Sequence, residues 1–144
     1  QEYQAPVEYG RSEIIRKGKK IAVLGVGSMI PSCMEICKGL KDDGYDPTFV
    51  NARFVKPLDV DLLDELAKDH SLFVTVEENV KSGGYGEHVS AYMEACHPEI
   101  RVLSAAVWDR FVPQGNVESL RSRIGLGVED IRQAIEDSEE LREQ

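Results

Sequence analysis

The sequence predicts a single α/β domain whose mainly parallel sheet is covered by helices on both faces. Short apolar runs at Lys20–Gly25, Thr48–Val55, Ser71–Glu77 and Arg101–Val107 are too brief for independent helices and read as strands, the second of them running on into a loop. Helical-period segments separate them, and strands alternating with helices of that length imply crossover connections and parallel pairing. A length of 144 residues suits one hydrophobic core.

The elements follow in order. Ser12–Arg16 fits an additional edge strand, although its periodicity alone does not decide it. Lys20–Gly25 follows a Gly-Lys-Lys turn signal and reads as a buried strand. A helix is expected from Pro31 through Leu40, closed by Gly44. Pro57 ends the segment begun at Thr48, and Asp59 or Asp61 caps a helix whose apolar face is Leu62, Leu63, Leu66 and Ala67 and which ends near His70. Ser71–Glu77, rich in β-branched and aromatic residues, is the most strand-like run; a glycine-rich loop follows it and ends at Gly86. A helix through His88 to Cys96 leads to the strand Arg101–Val107. Asn116 and Gly127 then punctuate two further helices, the last carrying a stripe of Val128, Ile131, Ile135 and Leu141 beside a solvated acidic run from Glu136 to Glu143.

Composition narrows the function. With 42% hydrophobic and 30% charged residues the chain has the make-up of a soluble globular protein, and no apolar run reaches the length of a membrane span. A net charge of -9 opposes a phosphate backbone, so neither nucleic acid nor membrane is an expected partner. Cys33, Cys37 and Cys96 are an odd set with the wrong spacing for a zinc knuckle, and His70, His88 and His97 are dispersed; no metal site is expected, and the thiols read as reduced and partly buried. The opening Gln-Glu-Tyr reads as a piece of something longer, residues 1–10 being a linker from an upstream domain.

Four motifs fall at the predicted C-terminal ends of strands, where open α/β sheets carry ligands. Gly25-Val-Gly27 has the context of a nucleotide-binding turn, but Ile30 stands where a third glycine belongs, so a tight strand-to-helix turn explains it better. Arg53, Lys56, Pro57 and Asp59 combine two cations, a rigid turn and a helix-capping carboxylate; the plain reading is a cap, an entry angle and cations paired with acidic neighbours or a partner domain. Glu77-Glu78-Asn79 followed by Gly83, Gly84 and Gly86 is open to acid-base chemistry, to anion binding by loop N–H groups, or to a simple reversal of the chain. Adjacent carboxylates on extended backbone point apart, which weighs against a shared site. Trp108-Asp109-Arg110 through Gly115, ahead of Arg121 and Arg123, mixes the aromatic and charged residues of an interface.

Taken together, Ala52-Arg-Phe-Val-Lys-Pro-Leu-Asp59, Val74-Thr-Val-Glu-Glu-Asn79, Gly83-Gly-Tyr-Gly86 and Asp109-Arg-Phe-Val-Pro-Gln-Gly115 resemble the C-terminal region of 1-deoxy-D-xylulose-5-phosphate synthases, over essentially the whole chain. Shorter versions of the pattern occur in transketolases and in 2-oxoacid dehydrogenase beta subunits. The resemblance implies a three-layer α/β/α domain with a five-stranded, mostly parallel sheet and one antiparallel edge strand. It implies a cytoplasmic, homodimeric parent enzyme whose upstream domains, on the same or a separate chain, hold thiamine diphosphate and Mg²⁺. Neither cofactor nor any catalytic residue is then expected in this chain alone. Arg121 matches an arginine placed toward the acceptor's phosphate, while Arg53, Lys56, Pro57, Asp59, Glu77, Glu78, Asn79, Gly83, Gly84, Gly86, Asp109, Arg110 and Gly115 are motif residues of interface or structural kind. Trp108, Glu87-His88 and Gly127 depart from the synthase pattern, which fits either a divergent synthase or a split transketolase-like protein.

Overall fold

A computed structural model of the chain describes residues 11–52, 58–78, 84–107 and 127–143. Five strands form one sheet in the order β1-β3-β2-β4-β5: β1 (Glu13–Arg16), β2 (Lys20–Gly25), β3 (Thr48–Asn51), β4 (His70–Glu78) and β5 (Arg101–Val107). β1 runs antiparallel to β3 and every other pairing is parallel. The expected sheet, with its antiparallel edge, is therefore present. Helices α1 (Ile30–Asp42), α2 (Val60–Ala67), α3 (Tyr85–Cys96) and α4 (Val128–Glu143) are those found among the described residues. None of them is long and apolar enough to cross a membrane.

Alternation along the central strands divides the core into two layers. Ile21, Val23, Leu72, Val74 and Val76 face Cys33, Ile36, Cys37 and Leu40 of α1 and Ile131 and Ile135 of α4. Ala22, Leu24 and Phe73 face Leu63 and Leu66 of α2 and Tyr85, Val89 and Met93 of α3. Because β2 and β4 are buried on both faces, they read as continuous apolar runs rather than alternating ones.

Polar clasps join the layers. Thr48 Oγ1 accepts from the Gly18 N–H at 2.8 Å and lies 2.7 Å from His70 Nε2, while His70 Nδ1 lies 2.8 Å from the Leu66 carbonyl. With the Leu66 carbonyl and, at 2.7 Å, Asp69 Oδ1 both beside it, Nδ1 is the ring nitrogen that donates. Asp64 Oδ1 of α2 accepts from Tyr92 Oη of α3 and from Nε2 of His97, just past the end of that helix, at 2.6 and 2.8 Å. Arg132 of α4 crosses α1 at Gly39 and bonds Asp43, Glu129 and Glu136.

Some boundaries depart from the sequence reading. α2 ends at Ala67, and His70 instead opens β4, buried in the clasp just described. α3 begins at Tyr85, so Gly86 lies inside its first turn rather than at the end of a loop. Glu136 is not on a solvated face: its side chain is 13% exposed against Arg132, and burial, followed by a hydrogen bond with Asp43, raises its pKa.

Candidate functional site

The order of the strands creates a topological switch. α1 leaves β2 toward one face of the sheet and α3 leaves β4 toward the other, so the crevice between the C-terminal ends of β2 and β4 is where this architecture presents ligands. On the β2 side the Val26 N–H donates to the Val76 carbonyl at 3.1 Å, and the Ala52 N–H donates to the Gly25 carbonyl at 2.8 Å. The turn is thus tied to strands on both sides. A Cβ on Gly25 would stand 2.6 Å from Cys33 Sγ, and Gly27 has φ +51, so packing and backbone conformation account for both glycines. The strand-to-helix turn is the reading the geometry supports.

Asp59 is the capping residue left open between two aspartates. Its Oδ1 accepts from the Leu62 N–H at 3.2 Å, closing the first turn of α2. Its Oδ2 accepts from the Ser12 N–H at 2.7 Å, and Arg11 reaches Asp61 at 3.0 Å, so the same nearly buried carboxylate anchors the chain entering β1. That second role was not visible in the sequence, where 47 residues separate the partners.

Glu77 and Glu78 part company as their succession on a strand requires. Glu78 is exposed, whereas Glu77 turns to the α2/α3 layer and accepts from the Tyr85 N–H on Oε1 at 3.0 Å and the Gly86 N–H on Oε2 at 2.8 Å. Gly84 occupies the cap position of α3 without a side chain, and a carboxylate from β4 supplies the missing acceptor. A bound anion at this helix start would take the same two N–H groups. Glu77 already fills the place, so the glycine loop does not offer the first turn of α3 to a ligand phosphate. A Cβ on Gly86 would lie 2.8 Å from Glu77 Oε2, 2.8 Å from Thr75 Oγ1 and 3.0 Å from Ser104 Oγ, which explains a glycine inside a helix.

Tyr85 joins the two motifs. It is buried, and its hydroxyl is pushed well above the usual phenol range, first by burial and then by the negative charges of Asp59 and Glu77. Sequence reasoning passed over Tyr85, Thr75 and Ser104; the only signal was a Tyr between glycines after a strand. Thr75 Oγ1 is fully buried and has no hydrogen-bond partner among the described residues. No group of three or more His, Cys, Asp or Glu side chains among the described residues is arranged to hold a metal ion. Arg53, Lys56, Pro57, Asn79, Gly83, Trp108, Asp109, Arg110, Gly115 and Arg121 lie outside the described residues.

With this geometry in view, residues 10–131 match the family described as transketolase, C-terminal domain. The chain belongs to that family. It is 38% identical over 132 residues to a 1-deoxy-D-xylulose-5-phosphate synthase of Lachnoclostridium phytofermentans, covering 91% of this chain and 21% of that protein. A synthase of the same name from Dictyoglomus thermophilum is 40% identical over 129 residues, again 21% of its length. The chain therefore spans about a fifth of the curated relatives it matches. Among solved structures, a split gene transketolase described as an inactive beta4 tetramer superposes with a TM-score of 0.76 at 28% identity, over 92% of this chain and 42% of that one. In this transketolase C-terminal domain, the described contacts of Asp59 and Glu77 are those of carboxylates that cap helices.

Proposed function

We propose that the chain is the C-terminal domain of a thiamine diphosphate-dependent transferase, namely a 1-deoxy-D-xylulose-5-phosphate synthase. That reaction decarboxylates pyruvate and transfers its two-carbon remnant to glyceraldehyde 3-phosphate, releasing CO₂ and 1-deoxy-D-xylulose 5-phosphate. The observation that carries the reading is identity of 38–40% to synthases across nine-tenths of this chain.

The described residues do not fit the cofactor. A diphosphate would need free N–H donors and Mg²⁺ would need clustered oxygen ligands, whereas Glu77 occupies the first turn of α3 and no metal-holding cluster is found among the described residues. On this reading thiamine diphosphate and Mg²⁺ belong to upstream domains, on the same or a separate chain, and this domain packs on them, stabilises a homodimer and brings Arg121 to the acceptor's phosphate. The split gene transketolase favours a second arrangement of the same function, in which those domains reside on another polypeptide.

Calorimetry of the purified chain with thiamine diphosphate and Mg²⁺ is expected to show no saturable binding. Joined to or mixed with its upstream domains, the chain is expected to support CO₂ release from pyruvate that depends on glyceraldehyde 3-phosphate. Saturable cofactor binding by the chain alone, or an active assembly indifferent to that acceptor, would refute the assignment.

A further inference from the structure

The described surface exposes three large apolar side chains, and two of them are adjacent: Ile14 is 42% and Ile15 47% exposed, both on β1 at the edge of the sheet. A lone exposed isoleucine needs no explanation, but a pair on an edge strand invites aggregation unless something covers it. Register excludes one kind of cover. Glu13 pairs with Asn51, Ile14 with Val50 and Arg16 with Phe49, so Ile15 is the extra residue of a β-bulge. Bulges twist an edge and interrupt its ladder, which makes β1 a poor template for another strand and leaves side-chain packing as the mode of contact.

Chain connectivity says what packs there. The relatives carry this region as about a fifth of their length, and the matched family is a C-terminal domain, so the other four-fifths arrives from the N-terminal side. It enters at Arg11 and Ser12, which are held in place: the Ser12 N–H and Oγ bond Asp59 Oδ2 and the Ala52 carbonyl at 2.7 and 3.2 Å, and Arg11 bonds Asp61. The entry point is therefore fixed within two residues of Ile14, at the C-terminal end of β3. A preceding domain tethered there is kept at high effective concentration beside the two isoleucines.

We propose that Ile14 and Ile15 form the seat for an apolar surface of the thiamine-binding polypeptide, with the Ser12–Asp59 clamp setting its orientation. This rests on the function proposed above, and it adds the place of contact. It also assigns Asp59 a purpose beyond capping, since releasing Ser12 would loosen the approach of that polypeptide.

The test uses this chain assembled with the polypeptide carrying its upstream domains, fused or co-expressed. The side chains of Ile14 and Ile15 are expected to be protected from hydroxyl-radical labelling in the assembly and to lose that protection in the chain alone, and the amides of Glu13–Arg16 that do not pair with β3 to follow them in hydrogen exchange. Ile14→Lys/Ile15→Lys is expected to weaken association of the separated parts at least tenfold, about 1.4 kcal/mol, with Met34→Lys on α1 leaving it within twofold. Far-ultraviolet circular dichroism verifies that each variant folds, and the labelling of the unaltered protein decides the matter should the double variant unfold. An active assembly in which β1 stays labelled, or in which Met34→Lys alone dissociates the parts, overturns the seat while sparing the function. Loss of β1 labelling on concentrating the chain by itself overturns it in favour of a second copy. Failure of the parts to associate at all, with no activity, overturns both.

Discussion

At the residue scale, the side chains that matter most are those whose polar atoms are closed off from water. Thr48 is fully buried, and its hydroxyl serves Gly18 and His70 at once. Thr48→Val keeps the shape but strands a buried His70 nitrogen and the Gly18 N–H, so it should cost about 1–3 kcal/mol in urea unfolding, the penalty for unmet buried groups. A loss under about 0.5 kcal/mol would show that water replaces the hydroxyl. Arg121 belongs to the same scale but to a different kind of evidence, since its proposed role comes from its spacing after Asp109–Gly115. A guanidinium grips phosphate oxygens with two parallel hydrogen bonds. In the assembled enzyme, Arg121→Ala should therefore raise the KM for glyceraldehyde 3-phosphate roughly tenfold or more, the loss of a charge-assisted pair worth about 1.5–3 kcal/mol, and leave that for pyruvate nearly unchanged. Equal effects on both substrates would instead mark a surface arginine paired with Glu118.

At the scale of elements, α3 shows how a helix start can be hidden from sequence. Its cap is not the residue before it but Glu77, eight positions earlier than Tyr85, reaching across from β4. Local rules look for Ser, Thr, Asp or Asn at the cap and so place the helix late. Glu77→Ala should cost about 1–2 kcal/mol, like the loss of any strong cap, and Gly86→Ala about 1–3 kcal/mol by overpacking against Glu77, Thr75 and Ser104. The two changes share one contact, so the double variant should lose measurably less than the sum; strict additivity in a double-mutant cycle would mean that Glu77 does not pack over Gly86. The strands β2 and β4 were legible because burial on both faces leaves uninterrupted apolar runs, and β3 and β5 because their runs are too short for an independent helix. β1 was ambiguous for the opposite reason, with both isoleucines outside the core. The caps at Asp59 and Gly44 could be read locally; the Ser12–Asp59 clamp and the tie of Arg132 to Asp43 could not, since each joins residues far apart in the chain.

At the scale of the whole molecule, the cysteines report on cooperativity. Cys33 and Cys37 lie on the inner face of α1 in the core shared with α4 and the sheet, and burial pushes both thiols up to about 12; Cys37 adds to the effect on Cys33. Cys96 is exposed at the end of α3. The thiolate is the reactive form, so at mildly alkaline pH the folded chain should present one fast thiol to a disulfide reagent and two that wait for the core to open. A disulfide between the buried pair is excluded by geometry. Positions four apart on a helix hold their Cβ atoms about 5–6 Å apart, whereas a disulfide needs about 3.8 Å, so bridging them would require α1 to break. Denatured without reductant, the protein should yield three thiols; a count of one would reveal an internal bridge and a distorted α1. If the sheet and both helical layers form one cooperative unit, Cys33 and Cys37 should react in step. The free energy of their opening should then fall with urea along the slope of global unfolding, because α1 cannot leave without exposing the core it shares with α4. Earlier labelling of the pair, at a shallower slope, would instead mean that α1 and α4 detach while the α2/α3 side of the sheet stays folded.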